Sequence, residues 1–100
     1  MHVHNVYFWL KKDLSDEDIA VFVQGLDALI GDPDVKTGYY GIPADTHRDV
    51  VENSYSFGLV LVFDDIAGHD RYQVGNIHDE FLAANKLKWE KFVVYDIETP

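Results

Sequence analysis

Tyr72 and His78 lie six residues apart in the stretch DRYQVGNIHDEF, with Gly75-Asn76 between them. An imidazole with an ordinary pKa of about 6.5 can take up and return a proton around neutral pH. A phenolic hydroxyl can donate to a carbonyl or enolate oxygen as charge develops there, a stabilisation that counts toward rate. The pair would therefore suit proton abstraction beside a carbonyl, with His78 as base and Tyr72 holding the oxygen. The same residues also fit a plainer arrangement, in which His78 sits on a helix surface beside Asp79 and Glu80 and Tyr72 is a core residue with its hydroxyl at the surface. Facing rings across a shared cavity would decide between the two.

His4 alternates with Val3 and Asn5 and shares its strand face with Val6, Phe8 and Leu10. On an apolar face it reads first as a structural histidine; turned toward the helices it could orient His78 or a bound carbonyl. Five histidines among 18 Asp and Glu invite a metal reading. His4, His78 and Asp79 or Glu80 are conceivable ligands, and His2 and His4 have chelating spacing on one strand. No recognised ligand spacing supports a metal centre, so none is expected, and His47 and His69, in polar surroundings, are expected to be solvated. The absence of Cys removes thiolate nucleophiles and Cys-based zinc sites. GLDALIG at 25–31 lacks the preceding strand and the spacing of a dinucleotide fingerprint, and there is no serine elbow, so no nucleotide or flavin cofactor is expected.

A chain of 100 residues makes one domain, 1–100, and hides roughly 60–70% of its unfolded surface, so its core is modest and self-association would help it. Hydrophobic residues make up 47% of the sequence, which excludes disorder, and the net charge is −10. That field repels phosphate backbones and anionic lipid head groups, and the few lysines form no basic patch. Nucleic acid and membrane surfaces are therefore not expected partners. The N-terminus has neither a basic leader nor an apolar run of the roughly 20 residues needed to span a bilayer, so a soluble, cytoplasmic protein is expected.

The elements that must position these side chains follow from periodicity. Val3–Leu10 is rich in Val and aromatic residues, as strands are. Ser15 and Asp18 have capping-box spacing, and Ile19, Phe22, Val23, Leu26, Leu29 and Ile30 then form one helical stripe that stops at Gly31 and Asp32-Pro33. Val35–Ile42 is a second strand weakened by Gly38 and Gly41. Residues 43–54 are a polar connection, and Tyr55–Phe63 is the clearest strand. Asp64-Asp65 can cap a helix that Gly75-Asn76 interrupts, giving Ile66–Tyr72 and Ile77–Leu87 as two pieces at an angle. Trp89–Ile97 closes the chain as a strand.

The order β-α-β-β-α-β is the ferredoxin-like pattern: an α+β fold with a four-stranded antiparallel sheet and two helices on one face. Helices cover only that face, yet the strands carry apolar residues on both alternating sets. The uncovered face would be a large apolar patch, and a homodimer packed sheet against sheet is the simplest way to bury it.

Val3-His4 near the start, WEKFVVYD near the end, and Tyr72 with His78 after five intervening residues resemble the stress-responsive dimeric α/β-barrel (Dabb) family. The resemblance covers nearly the whole chain. It implies a ferredoxin-like protomer that pairs with a second copy as an α/β barrel, in a family that includes heat-stable plant stress proteins and a plant polyketide cyclase, olivetolic acid cyclase. The cyclase's strand His, helix Tyr and following His fall on His4, Tyr72 and His78 here, with Trp89 matching a pocket-wall Trp. Where the family commonly has His-Pro-x-His, this chain has Gly75-Asn76-Ile77-His78, so substrate identity is not carried over.

The resulting expectation is a pocket in each protomer, with His78, Tyr72 and His4 as catalytic candidates and Phe22, Leu26, Leu59, Phe81 and Trp89 as lining. It would take an apolar carbonyl-bearing or aromatic ligand and, as an enzyme, carry out cofactor-free proton abstraction of the cyclase or lyase type. Two alternatives stand beside it. One is a noncatalytic stress-related assembly with a filled interior; the other is a cofactor-independent monooxygenase, as in other dimeric ferredoxin-like barrels.

Overall fold

The computed structural model describes all of residues 1–100. Four strands, β1 (His2–Leu10), β2 (Val35–Gly41), β3 (Phe57–Phe63) and β4 (Trp89–Glu98), form one sheet in the order β2-β3-β1-β4. All three neighbouring pairs are antiparallel. The helices are α1 (Asp16–Ile30), α2 (Ile66–Gln73) and α3 (Asn76–Asn85), so the second expected helix is two pieces with a break at Val74-Gly75. This is the expected ferredoxin-like α+β fold. No helix is long and apolar enough to cross a membrane.

Each element follows from local chemistry. The Ser15 hydroxyl accepts from the Asp18 N–H at 3.0 Å, and the Ser15 N–H donates to the Asp18 carboxylate at 3.2 Å, closing the capping box that starts α1. Asp65 caps α2 by accepting from the Gly68 N–H at 2.9 Å. The third strand begins two residues later than its sequence pattern indicates. Ser56 instead ties the connection to β1, its N–H donating to the Phe8 carbonyl and its hydroxyl accepting from the Leu10 N–H.

The register decides which side chains meet the helices. His2, His4, Val6 and Phe8 on β1 lie opposite Phe63, Leu61, Leu59 and Phe57 on β3. On the other side the same row meets Glu98, Asp96, Val94 and Phe92 of β4. Phe22, Leu26 and Leu29 of α1 pack onto this face with Leu59, Leu61 and Phe63, all essentially without solvent contact. Gly25 lets α1 approach α3: a Cβ there would lie 2.8 Å from the Phe81 ring and 3.0 Å from the Asn85 amide. Gly38, read from sequence as a weak point of β2, has a similar use, because a Cβ would meet Leu61 at 2.9 Å and Ile30 at 3.1 Å.

No helix covers the opposite face, which alternation fills with Val3, Tyr7, Trp9, Tyr39, Val60, Val62, Tyr95 and Ile97. Tyr39, Tyr95 and Ile97 are each more than half exposed. Such a patch marks an association surface.

Candidate functional site

The break between α2 and α3 builds the site. Tyr72 lies in the last turn of α2 and His78 in the first turn of α3. The bend at Val74-Gly75 turns the two rings edge to face, with centroids 5.2 Å apart and planes at 73°. Beneath them the β1 row supplies His4, whose ring lies 6.2 Å from that of Tyr72. Tyr72, His78 and His4 all line one cavity of about 230 Å³ between the sheet and the helices. Ten of its thirteen lining residues are hydrophobic, so an occupant would be held by apolar contact and oriented by few polar groups. Its wall toward β4 is formed by Trp89, Phe92 and Val94, and Phe92 is about half exposed, which leaves that side open to solvent.

Burial sets the charge states. Burial lowers the His78 pKa from 6.5, as does nearby His69, against the opposing charge of Asp79. The helix N-terminus on which His78 sits also disfavours imidazolium. The Nδ1 of His78 is buried without a partner. Burial, reinforced by Asp32, raises the Tyr72 hydroxyl far above its ordinary range, so at neutral pH it is a proton donor and not a base. Near pH 7 the site thus holds a neutral imidazole facing a protonated phenol.

His4 is fixed differently. Its Nδ1 lies 2.6 Å from Asp96 Oδ1, a pairing that the β1–β4 register makes inevitable because the two residues are opposite one another. Burial lowers the His4 pKa despite the hydrogen bond and charge of Asp96, which act the other way. Burial would raise Asp96, but His4, His2 and His69 together bring it below its ordinary value.

Of the lining set expected from sequence, Leu59, Phe81 and Trp89 border the cavity with Tyr72, His78 and His4. Phe22 and Leu26 do not. Both have no exposed surface and sit in the core beneath α1, where this part of the helical stripe packs on the sheet; Leu29, at the C-terminal end of the stripe, reaches the cavity. Val6, Phe8, Leu29, Gln73, Leu82, Phe92 and Val94 border the cavity unforeseen. The β4 pair required a register, which periodicity alone does not supply.

One histidine expectation is also corrected. His69 is not solvated: its side chain is 13% exposed, and its ring stands 4.5 Å from that of His2 and 4.9 Å from that of His4. His2 is buried in β1. Potential metal ligands therefore gather around His2, His4, His69 and Asp96, not around His78 with Asp79 or Glu80. His47 remains exposed, beside Asp45.

A family model described as the stress responsive A/B barrel domain, Dabb, matches residues 3–99. The chain belongs to the Dabb family. No curated protein matches this Dabb chain. Among solved structures, a protein of Arabidopsis thaliana is similar at a TM-score of 0.82 and 19% identity, covering 100% of this chain and 96% of its own. A hydroxynitrile lyase from Passiflora edulis reaches a TM-score of 0.81 at 20% identity, covering 99% of this chain and 93% of its own. A protein from Thermobifida fusca, described as dimeric and ferredoxin-like and of unknown function, reaches 0.79 at 18% identity over 98% of this chain and 90% of its own. At such identities these likenesses carry the fold of the Dabb chain.

Proposed function

We propose that this Dabb protein binds a small apolar carbonyl-bearing or aromatic molecule in the cavity between its sheet and helices and carries out cofactor-free acid/base chemistry of the cyclase or lyase type. The observation that carries the reading is the facing of Tyr72 and His78, 5.2 Å apart at their ring centroids, on the wall of an apolar cavity. Neutral His78 takes a proton from the carbon beside the carbonyl. The electron pair passes to the carbonyl oxygen, which Tyr72 stabilises by donating its hydroxyl hydrogen bond. The enolate then attacks a second carbonyl within the ligand, as in an aldol-type cyclisation, and the proton held by His78 returns to the new alkoxide. In the reverse sense His78 takes the proton from a hydroxyl, the carbon–carbon bond breaks to give a carbonyl, and the departing enolate or cyanide keeps the electron pair and takes the proton held by His78. The hydroxynitrile lyase of the same fold supports this direction.

A homodimer formed through the uncovered sheet face belongs to the same proposal. The exposed Tyr39, Tyr95 and Ile97 favour it, and the dimeric Thermobifida fusca protein supports it. In this reading residues 1–100 act as one domain and each protomer carries its own cavity. The uncovered face alone would also suit a noncatalytic stress-related assembly, which has no use for the void beside His78.

The test is turnover of a panel of hydroxynitriles and of apolar compounds with two carbonyl groups. A Tyr72→Phe, His78→Ala double variant is expected to lose at least about 100-fold in rate, the usual contribution of a positioned acid or base. Full activity in that variant would overturn the mechanism.

A further inference from the structure

The end of the sheet beyond the cavity holds a second constellation. His2 and His4 project from the same face of β1, His69 descends from α2, and Asp96 faces His4 from β4. One ligand atom from each of the four lies within 4.8 Å of every other. We infer that His2, His4, His69 and Asp96 form a binding site for a divalent transition-metal ion of the zinc type.

The burial of His2 is the decisive feature. Its ring is nearly without solvent contact, yet neither nitrogen makes a hydrogen bond. The Nε2 lies 3.3 Å from Asp96 Oδ1 but lacks hydrogen-bond geometry, and that oxygen already pairs with His4 Nδ1 at 2.6 Å. A buried polar group without a partner costs its full desolvation, so an imidazole kept this way in the fold calls for an occupant that uses its lone pair. A metal ion does so. It would also explain why three rings that repel one another when protonated are packed together around one carboxylate.

The donor set fits the chemistry of such an ion. Three imidazoles and a carboxylate are ligands that zinc takes in four-coordinate sites, at about 2.0–2.2 Å each. Those bond lengths place tetrahedral donors about 3.3 Å apart, so closing the widest gap of 4.8 Å asks two side chains to move by under roughly 1 Å each. His69 has orienting partners as well: its Nδ1 is 3.2 Å from Asp70 and its Nε2 is 3.3 Å from the Gln73 amide. One nitrogen would bind the ion while the contact at the other fixes the ring, the usual outer-shell arrangement. The site shares His4 with the cavity but stands independently of the chemistry proposed there.

The experiment is calorimetric titration of zinc chloride, near neutral pH, into the untagged full chain freed of metal by a chelator. The expected result is one ion per chain, with affinity at least about tenfold weaker in His69→Gln and in Asp96→Asn and unchanged in His47→Ala. Cobalt(II) in place of zinc should give the intense visible bands of a four-coordinate site in the wild type and lose them in His69→Gln. Thermal melts of the metal-free variants check folding, and His2→Gln replaces any variant that does not fold. Absence of stoichiometric zinc binding, or zinc held equally by the wild type and the folded variants, would overturn the inference, the latter by assigning the ion to the chain terminus or to surface carboxylates.

Discussion

The layer between sheet and helices has two halves built on the same strands. Under α1 it is closed, with Phe22, Leu26 and Leu61 all without exposed surface. Under the α2–α3 bend it is open, and a cavity of about 230 Å³ lies against His4, Tyr72 and His78. The difference lies in the helices. α1 is a continuous run of 15 residues with a complete capping box, whereas α2 and α3 have 8 and 10 residues and are separated by a two-residue break. A continuous helix presents an unbroken stripe that fills the sheet's pleats; an interrupted one leaves a gap at the bend and turns polar side chains from both pieces toward it.

The two halves should respond differently to substitution. The largest effect is expected from Leu26→Ala in the closed half, which should cost about 2–5 kcal/mol in denaturant unfolding through lost burial and a residual void. It should leave ligand affinity unchanged in the protein that remains folded. Tyr72→Phe in the open half should do the reverse. Loss of one hydrogen-bond donor is worth about 1.4 kcal/mol, or roughly tenfold in affinity for a carbonyl ligand by calorimetry. Unfolding stability should move by no more than about 0.5 kcal/mol, because the hydroxyl makes no hydrogen bond within the protein.

The smallest effect is in pH dependence. His4 and His78 both have pKa values lowered from 6.5, chiefly by burial, so the unfolded chain takes up protons before the folded one does. Their contribution to stability is complete above pH 6.5 and is lost as pH falls from there through their folded values. Denaturant midpoints measured across that range should therefore decline on the acid side, more shallowly in His78→Ala. Leu26→Ala should displace the whole curve without altering where it bends.

Much of the closed half is legible in the sequence. The Ser15–Asp18 box, the stripe from Ile19 to Ile30 and the alternation along Tyr55–Phe63 are local signals, and the elements they indicate lie within two residues of the observed bounds. The break at Gly75 is legible for the same reason, as is the pairing of Tyr72 with His78 across it. What the sequence hides depends on contacts between distant segments. Asp96 meets His4 only through the β1–β4 register, across 92 residues. His69 looks solvated among Gly68, Asp70 and Arg71 until α2 is laid on the sheet beside His2. Phe22 and Leu26 have the right chemistry for a pocket wall, but their helix packs them into the core.

The most direct test of the open half as a binding site is a titration of isotope-labelled protein with a small aromatic aldehyde, followed by NMR at the imidazole of His78, the ring of Tyr72 and the indole of Trp89. The arrangement predicts saturable shifts at these three positions, with Leu26 and the Tyr39–Tyr95 face undisturbed. Saturable shifts on the uncovered sheet face instead, or none at His78 at saturating aldehyde, would contradict it and leave the cavity without a binding role.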